Sequence, residues 1–160
     1  MRRPRLMAAV AGLALAMTTT VTALADAPDR QTGPVRVTLK PLSGVVVTPN
    51  RYWYIRGEFR FTVKATDVGT EDDQNLFVFV SIPDEIRMTT FSGNRWRCES
   101  VVGGLDCSNP DLVVPGESWP ALTITTRGTG YVQDTLDVYA IANGDDWAHV
   151  GVPFVYDTSS

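Results

Sequence analysis

From Val35 onward the chain alternates apolar and polar residues with a period of two. Val35, Val37 and Leu39 interleave with Arg36, Thr38 and Lys40, and Phe59, Phe61, Val63 and Ala65 interleave with Glu58, Arg60, Thr62 and Lys64. The same pattern returns at Leu122 and Ile124 among threonines, and at Leu136, Val138 and Ala140 between Thr135, Asp137 and Tyr139. Successive side chains of a strand point to opposite faces, so each run predicts a strand with one face in a core and the other in water. Residues 76–82 and 45–47 are apolar on both faces. The longer run predicts a central strand, or one whose outer face is covered, because an exposed strand of that composition is an aggregation hazard. Turn residues separate the runs at Pro49-Asn50, Pro83-Asp84, Gly103-Gly104, Pro115-Gly116 and Asn143-Gly144. No helical period is sustained after residue 25. The pattern predicts an all-β, immunoglobulin-like antiparallel sandwich of about seven to nine strands over residues 35–158.

The first residues follow a different logic. Arg2, Arg3 and Arg5 precede an uncharged apolar stretch, residues 6–17, and then Ala23-Leu24-Ala25. Small residues at −3 and −1 suit signal peptidase, which places the cut after Ala25 and leaves a polar leader, residues 26–34. A dozen apolar residues fall short of the roughly 20 that span a bilayer. Residues 154–160 carry no hydrophobic anchor. The expected destination is secreted, extracellular, without membrane insertion after signal cleavage.

Charge and cysteines refine this. The full chain carries −4. Removing residues 1–25 takes away three of the 14 basic residues and leaves 11 against 18 acidic, a net −7. Such a balance disfavours nucleic acid and anionic lipid, which need a basic face. Cys98 and Cys107 are the only cysteines. In an exported protein such a pair predicts a structural disulfide, and no CxxC motif suggests redox work.

The middle of the chain resembles a known pattern. Asp67-Val68-Gly69-Thr70 matches a strand-ending turn, and residues 75–83 a strand ending in proline. Trp96-Arg97-Cys98, Cys107 and Pro115-Gly116-Glu117-Ser118 follow in order. This resembles the bacterial conserved-repeat, Ig-like domain of unknown function found in cell-surface and secreted proteins. It covers about half of the residues after the cut. It departs from that pattern at Glu85, where the family has glycine, and at residues 143–147, where the family is Asn-rich. The resemblance implies a sandwich and a surface or secreted setting, and it brings no catalytic residues.

Candidate chemistry is sparse. His149 is the only histidine, alternates with Val150 and Val152, and reads as a solvent-facing strand residue rather than a catalytic base. Zinc needs three or four ligands that the composition does not supply. Calcium, the one cofactor weighed, needs clustered oxygens, offered by Asp67, Glu71, Asp72 and Asp73. Tyr52, Trp53 and Tyr54 stand together, so either Trp53 or both tyrosines face outward, where they can stack on sugars or anchor a protein. Trp96 is expected in the core against the disulfide, and Trp119 and Trp147 partly exposed. The leading expectation is a non-enzymatic interaction or structural module with an unknown protein or polysaccharide partner at the cell envelope. The alternatives are a carbohydrate-binding module using its exposed aromatics, and a secreted hydrolase or hydrolase inhibitor acting through loop 98–107.

Overall fold

Each run of period two forms a strand. In a computed structural model, which describes residues 33–144 and 146–158, nine strands follow one another. They are β1 (Val35–Val47), β2 (Trp53–Asp67), β3 (Leu76–Ser81), β4 (Ile86–Ser92), β5 (Arg97–Val101), β6 (Gly104–Asn109), β7 (Leu122–Gly128), β8 (Val132–Ile141) and β9 (Ala148–Tyr156). Among the described residues there is no helix. The expected signal peptide, residues 1–25, and the leader as far as residue 32 lie outside the described residues.

The strands form one sheet in the order β4-β7-β2-β9-β8-β3-β6-β5, with β1 also on β2. The long strand β2 curls this sheet into two layers. Its residues 58–63 pair with β7, whereas residues 53–55 run parallel to β9. That parallel contact departs from the wholly antiparallel expectation. The bend sits at Gly57, where φ is 68°, and β1 follows it with a register jump around Gly44, where φ is 72°. A Cβ on Gly44 would run into the Glu58 carbonyl, so both the left-handed backbone and the close approach require glycine there.

The apolar faces meet between the layers. Phe59, Phe61 and Val63 of β2 are buried with Leu122 and Ile124 of β7 and with Val78, Val80 and Val138 from the other layer. Each fully buried aliphatic or aromatic side chain contributes roughly 1.5–3 kcal/mol. Tyr156 closes one end of the core, its hydroxyl donating to the Gly128 carbonyl at 3.1 Å. Trp96 is buried as expected, and its Nε1 donates to the Pro120 carbonyl at 2.6 Å.

One expectation is corrected, and the two runs that are apolar on both faces find their places. Trp119 is fully buried, because its indole Nε1 reaches the Asp111 carbonyl at 3.0 Å and lets the ring leave the surface. Of residues 45–47, Val46 and Val47 are exposed on the arm of β1 beyond the Gly44 bulge. Strand β3 is central, between β6 and β8, yet its outer face is uncovered and Phe77 is 54% exposed.

Candidate functional site

The uncovered face is built from cross-strand register. Leu76, Val78 and Val80 point inward, so Phe77 and Phe79 point outward. Residues directly opposite share a face. One row therefore runs Arg97, Ser108, Phe77 and Ile141 from β5 to β8. The next runs Glu99, Asp106, Phe79, Tyr139 and His149 from β5 to β9. Trp147, half-exposed just before β9, adds to the rim. The first row, with Glu99, Asp106, Phe79 and Trp147, lines a shallow groove of about 550 Å³, and Tyr139 and His149 continue the second row beyond it. Its floor is aromatic and apolar and its outer wall is charged.

The outer wall is held by covalent chemistry. Cys98 and Cys107 are directly opposite on β5 and β6 and are joined as a disulfide. The hairpin turns at Val102 and Gly103, with Gly103 at φ 78° and Val102 wholly exposed. Loop 98–107 is thus a stapled hairpin with an apolar tip. Strand β5 is an edge strand, and the staple fixes the wall that bears Arg97 and Glu99.

His149 sits at the far end of the aromatic row. Its ring stacks on Tyr139 with centroids 4.6 Å apart, and Nε2 lies 2.7 Å from Asp137 Oδ1. Asp137 and Thr135 are on the same face, opposite Gly151 and Pro153. Nucleophilic catalysis needs a hydroxyl or thiol within hydrogen-bond reach of the base. Among the described residues the ring hydrogen-bonds Asp137 and no such nucleophile.

The aromatics at residues 52–54 are split by the strand period. Trp53 is 3% exposed and packs on Phe61 at 6.0 Å, which takes it away from any surface platform. Tyr54 donates to Asp157 Oδ2 at 2.7 Å and has the Arg56 guanidinium 5.2 Å from its ring centre. The hydrogen bond to Tyr54 raises the pKa of Arg56 above its ordinary value. Tyr52 is the exposed member of the three, with about 40% of its surface in water.

The acidic residues after β2 also divide. Asp67 and Asp73 are buried, while Glu71 and Asp72 are exposed. Asp67 Oδ1 accepts from the Gly69 amide at 2.8 Å, and its Oδ2 is buried without a hydrogen-bond partner. Asp73 exchanges backbone hydrogen bonds with Val113 and accepts from Asn143 Nδ2 at 2.7 Å. The backbones of Asp67 and Asp73 tie the loop to residues 113–117, and the Asp73 carboxylate ties it to Asn143 in the β8–β9 turn. Among the described residues no three His, Cys, Asp or Glu side chains converge to hold a metal ion.

Charge is segregated between the two layers, which net charge conceals. The groove's wall carries Glu99 and Asp106 directly opposite one another, and no ion pair forms with either among the described residues. The outer face of the β1-β2-β7-β4 layer is basic instead. Lys40, Arg60, Lys64 and Arg127 are exposed there. The net charge therefore describes neither face by itself. Sequence alone could not reveal either face, because the pairing register decides which charges become neighbours.

No protein-family model matches the chain, and no curated protein matches it in sequence. Solved structures show the fold. A cohesin module from a Clostridium perfringens family 33 glycoside hydrolase superposes with a TM-score of 0.53 at 7% identity, over 80% of this chain and 100% of that one. A type I cohesin from Pseudobacteroides cellulosolvens gives 0.46 at 8% identity, over 65% of this chain and 85% of that one. A non-cellulosomal cohesin from Archaeoglobus fulgidus gives 0.42 at 9%, over 67% and 85%. The first of these places the architecture among β-sandwich modules. Among the described residues no helix is long and apolar enough to cross a membrane.

Proposed function

We propose that this protein is a non-catalytic interaction module of the extracellular space, which binds a protein partner through the outer face of β5-β6-β3-β8. The observation that carries the reading is Phe77. A central strand with an aromatic residue half in water and a groove around it is the surface signature of a docking site. Aromatic anchors of this kind dominate the energetics of protein interfaces. The unpaired carboxylates of Glu99 and Asp106 beside that floor suit a partner that presents a Lys or Arg next to an apolar side chain. The export signal expected at residues 1–25 and the conserved-repeat resemblance agree with a secreted or surface setting. The fold shared with a cohesin module is compatible with a binding role.

The carbohydrate alternative draws less support from residues 52–54, since Trp53 is inside and Tyr54 is engaged. The hydrolase alternative lacks a nucleophile beside His149 among the described residues. Photo-crosslinking in the native host tests the reading, with benzoylphenylalanine placed at position 77 and, as a control, at exposed Tyr131. A discrete protein adduct from position 77 alone supports it. Saturable binding of the protein to a polysaccharide array, with no protein adduct at 77, overturns it in favour of a carbohydrate module.

A further inference from the structure

The opposite face of the sandwich carries a second, independent pattern. Strands β1 and β2 contain the same five-residue pattern, Arg36-Val37-Thr38-Leu39-Lys40 and Arg60-Phe61-Thr62-Val63-Lys64. In both, the apolar residues point inward or toward the core and the Arg, Thr and Lys point outward. Antiparallel pairing then sets each cation against a hydroxyl. Lys64 is opposite Thr38, Lys40 is opposite Thr62, Arg36 is opposite Thr66, and Arg60 lies between Ser43 and Thr125. Solvent-facing sheets are ordinarily stabilised by opposite charges across the strands. Here the outward partners are hydroxyls. Lys40, Arg60 and Lys64 form no ion pair among the described residues. Farther along, Arg127 stands directly opposite Arg87, a like-charge pair that costs stability unless an anion lies between. Glu58, opposite Arg127, is the carboxylate on this face, and it forms no ion pair among the described residues.

We infer that this face binds a linear, phosphate-bearing polymer outside the cell. Cations recur every fourth residue on each strand, about 13 Å apart at the rise of a strand, with small hydroxyl side chains between them. Such a lattice fits charges that repeat along an extended chain, not the single charge of a small ion. Guanidinium and ammonium groups supply the charge-assisted contacts, while Thr38 and Thr62 keep their hydroxyl protons on the Lys64 and Lys40 carbonyls at 3.4 Å. The outward positions of the repeated pattern hold no aromatic ring on which bases could stack, as single-stranded nucleic acid requires. A second copy of the chain also fits poorly, because its groove offers Phe77 and Trp147 and this face has no apolar side chain at the outward positions of either pattern to meet them. Export, expected from residues 1–25, brings the face to polyol-phosphate polymers rather than to nucleic acid.

The test measures binding of the full mature chain to poly(glycerol phosphate) by titration calorimetry from 50 to 300 mM NaCl, conditions set by the salt dependence expected of polyelectrolyte contacts, whose log affinity falls by about 0.7 per cation engaged on a flexible strand. Arg60→Gln with Lys64→Gln is expected to weaken binding at least tenfold at low salt and to flatten that slope by about 1.4, two cations' worth. Glu99→Gln with Asp106→Asn, on the other face, is expected to leave it unweakened. Lys40→Gln with Arg127→Gln serves as a second variant, and circular dichroism confirms the fold of each. Absence of saturable binding at 50 mM NaCl overturns the inference, as does binding indifferent to both pairs. Equal binding of poly-L-glutamate overturns the phosphate class, and tighter binding of single-stranded DNA or of phosphatidylglycerol vesicles overturns the polymer assigned. None of these outcomes bears on the groove, which position 77 tests separately.

Discussion

Removing the disulfide is the perturbation whose magnitude follows most directly from the structure. Cys98 and Cys107 are nine residues apart and directly opposite in the β5–β6 pairing. The hairpin is already closed by its own ladder and by the turn at Val102-Gly103. In the folded state the crosslink therefore adds no register that hydrogen bonds do not already supply. Its stabilisation comes from the unfolded chain, where it removes loop-closing freedom. For a loop of that size the chain-entropy relation gives roughly 2.6 kcal/mol at 25 °C.

Urea unfolding of the oxidised protein and of Cys98→Ala/Cys107→Ala, followed by tryptophan fluorescence, measures this. Trp53, Trp96 and Trp119 are all buried and report global unfolding. The variant should lose about 2.6 kcal/mol, plus up to about 1 kcal/mol for the buried sulfur of Cys107. The denaturant slope should rise, since an uncrosslinked unfolded chain exposes more surface. Reduced wild-type protein should match the variant within about 1 kcal/mol, an allowance for that sulfur. A loss below about 1 kcal/mol with an unchanged slope would refute the reasoning, because it would put the effect outside the unfolded-state entropy from which it was worked.

Neighbouring residues on β3 should behave oppositely. Phe77→Ser should change stability by no more than about 1 kcal/mol while abolishing partner crosslinks from benzoylphenylalanine placed at neighbouring Ile141, whereas Val78→Ala should cost about 2 kcal/mol by leaving a core cavity, the stabilities read from urea midpoints. Gly44→Ala should cost about 1–3 kcal/mol, since φ at that residue is 72° and the added methyl meets the Glu58 carbonyl. Glu99→Gln should stabilise the free protein by about 0.2–1 kcal/mol at low salt by removing a like-charge cross-strand pair, and the gain should shrink as salt is added.

What the sequence disclosed was whatever depends on period alone. Alternation at residues 58–65 and 135–140 places Phe61, Val63, Leu136 and Val138 in the core, because a half-buried strand has one arrangement that hides its apolar side. Residues 76–82 show where that logic stops. A strand apolar on both faces reads the same whether its second face is covered by another element or open to water, and only the layer's neighbours decide. Trp119 was placed partly in solvent because a Trp-Pro pair in a loop carries no period. Its burial depends on a carbonyl eight residues away, at Asp111. The consecutive aromatics at 52–54 were reduced to two outcomes by the strand period, and packing on Phe61 selected Trp53 for the interior. The distribution of charge was hidden for a different reason. A sum over the chain cannot register that Glu99 meets Asp106 while Lys64 meets Thr38, since those neighbours exist only after the strands pair.

That segregation ties the two faces into one argument. A sandwich places its outer faces back to back, separated by two sheets packed about 10 Å apart. The basic face presents cations and hydroxyls at a regular spacing, with no apolar residue at the outward positions of its repeated pattern, which suits a repetitive and flexible ligand. The groove presents Phe77, Ile141 and Trp147 against a carboxylate wall on the paired, disulfide-linked β5–β6 hairpin, which suits one defined protein surface. Because the ligands approach from opposite sides, occupation of one face leaves the other open. A protein of this design holds to an anionic matrix through one sheet while offering the other to a partner. The unpaired like charges on each face, unfavourable in the free molecule, are then relieved in the complexes they select.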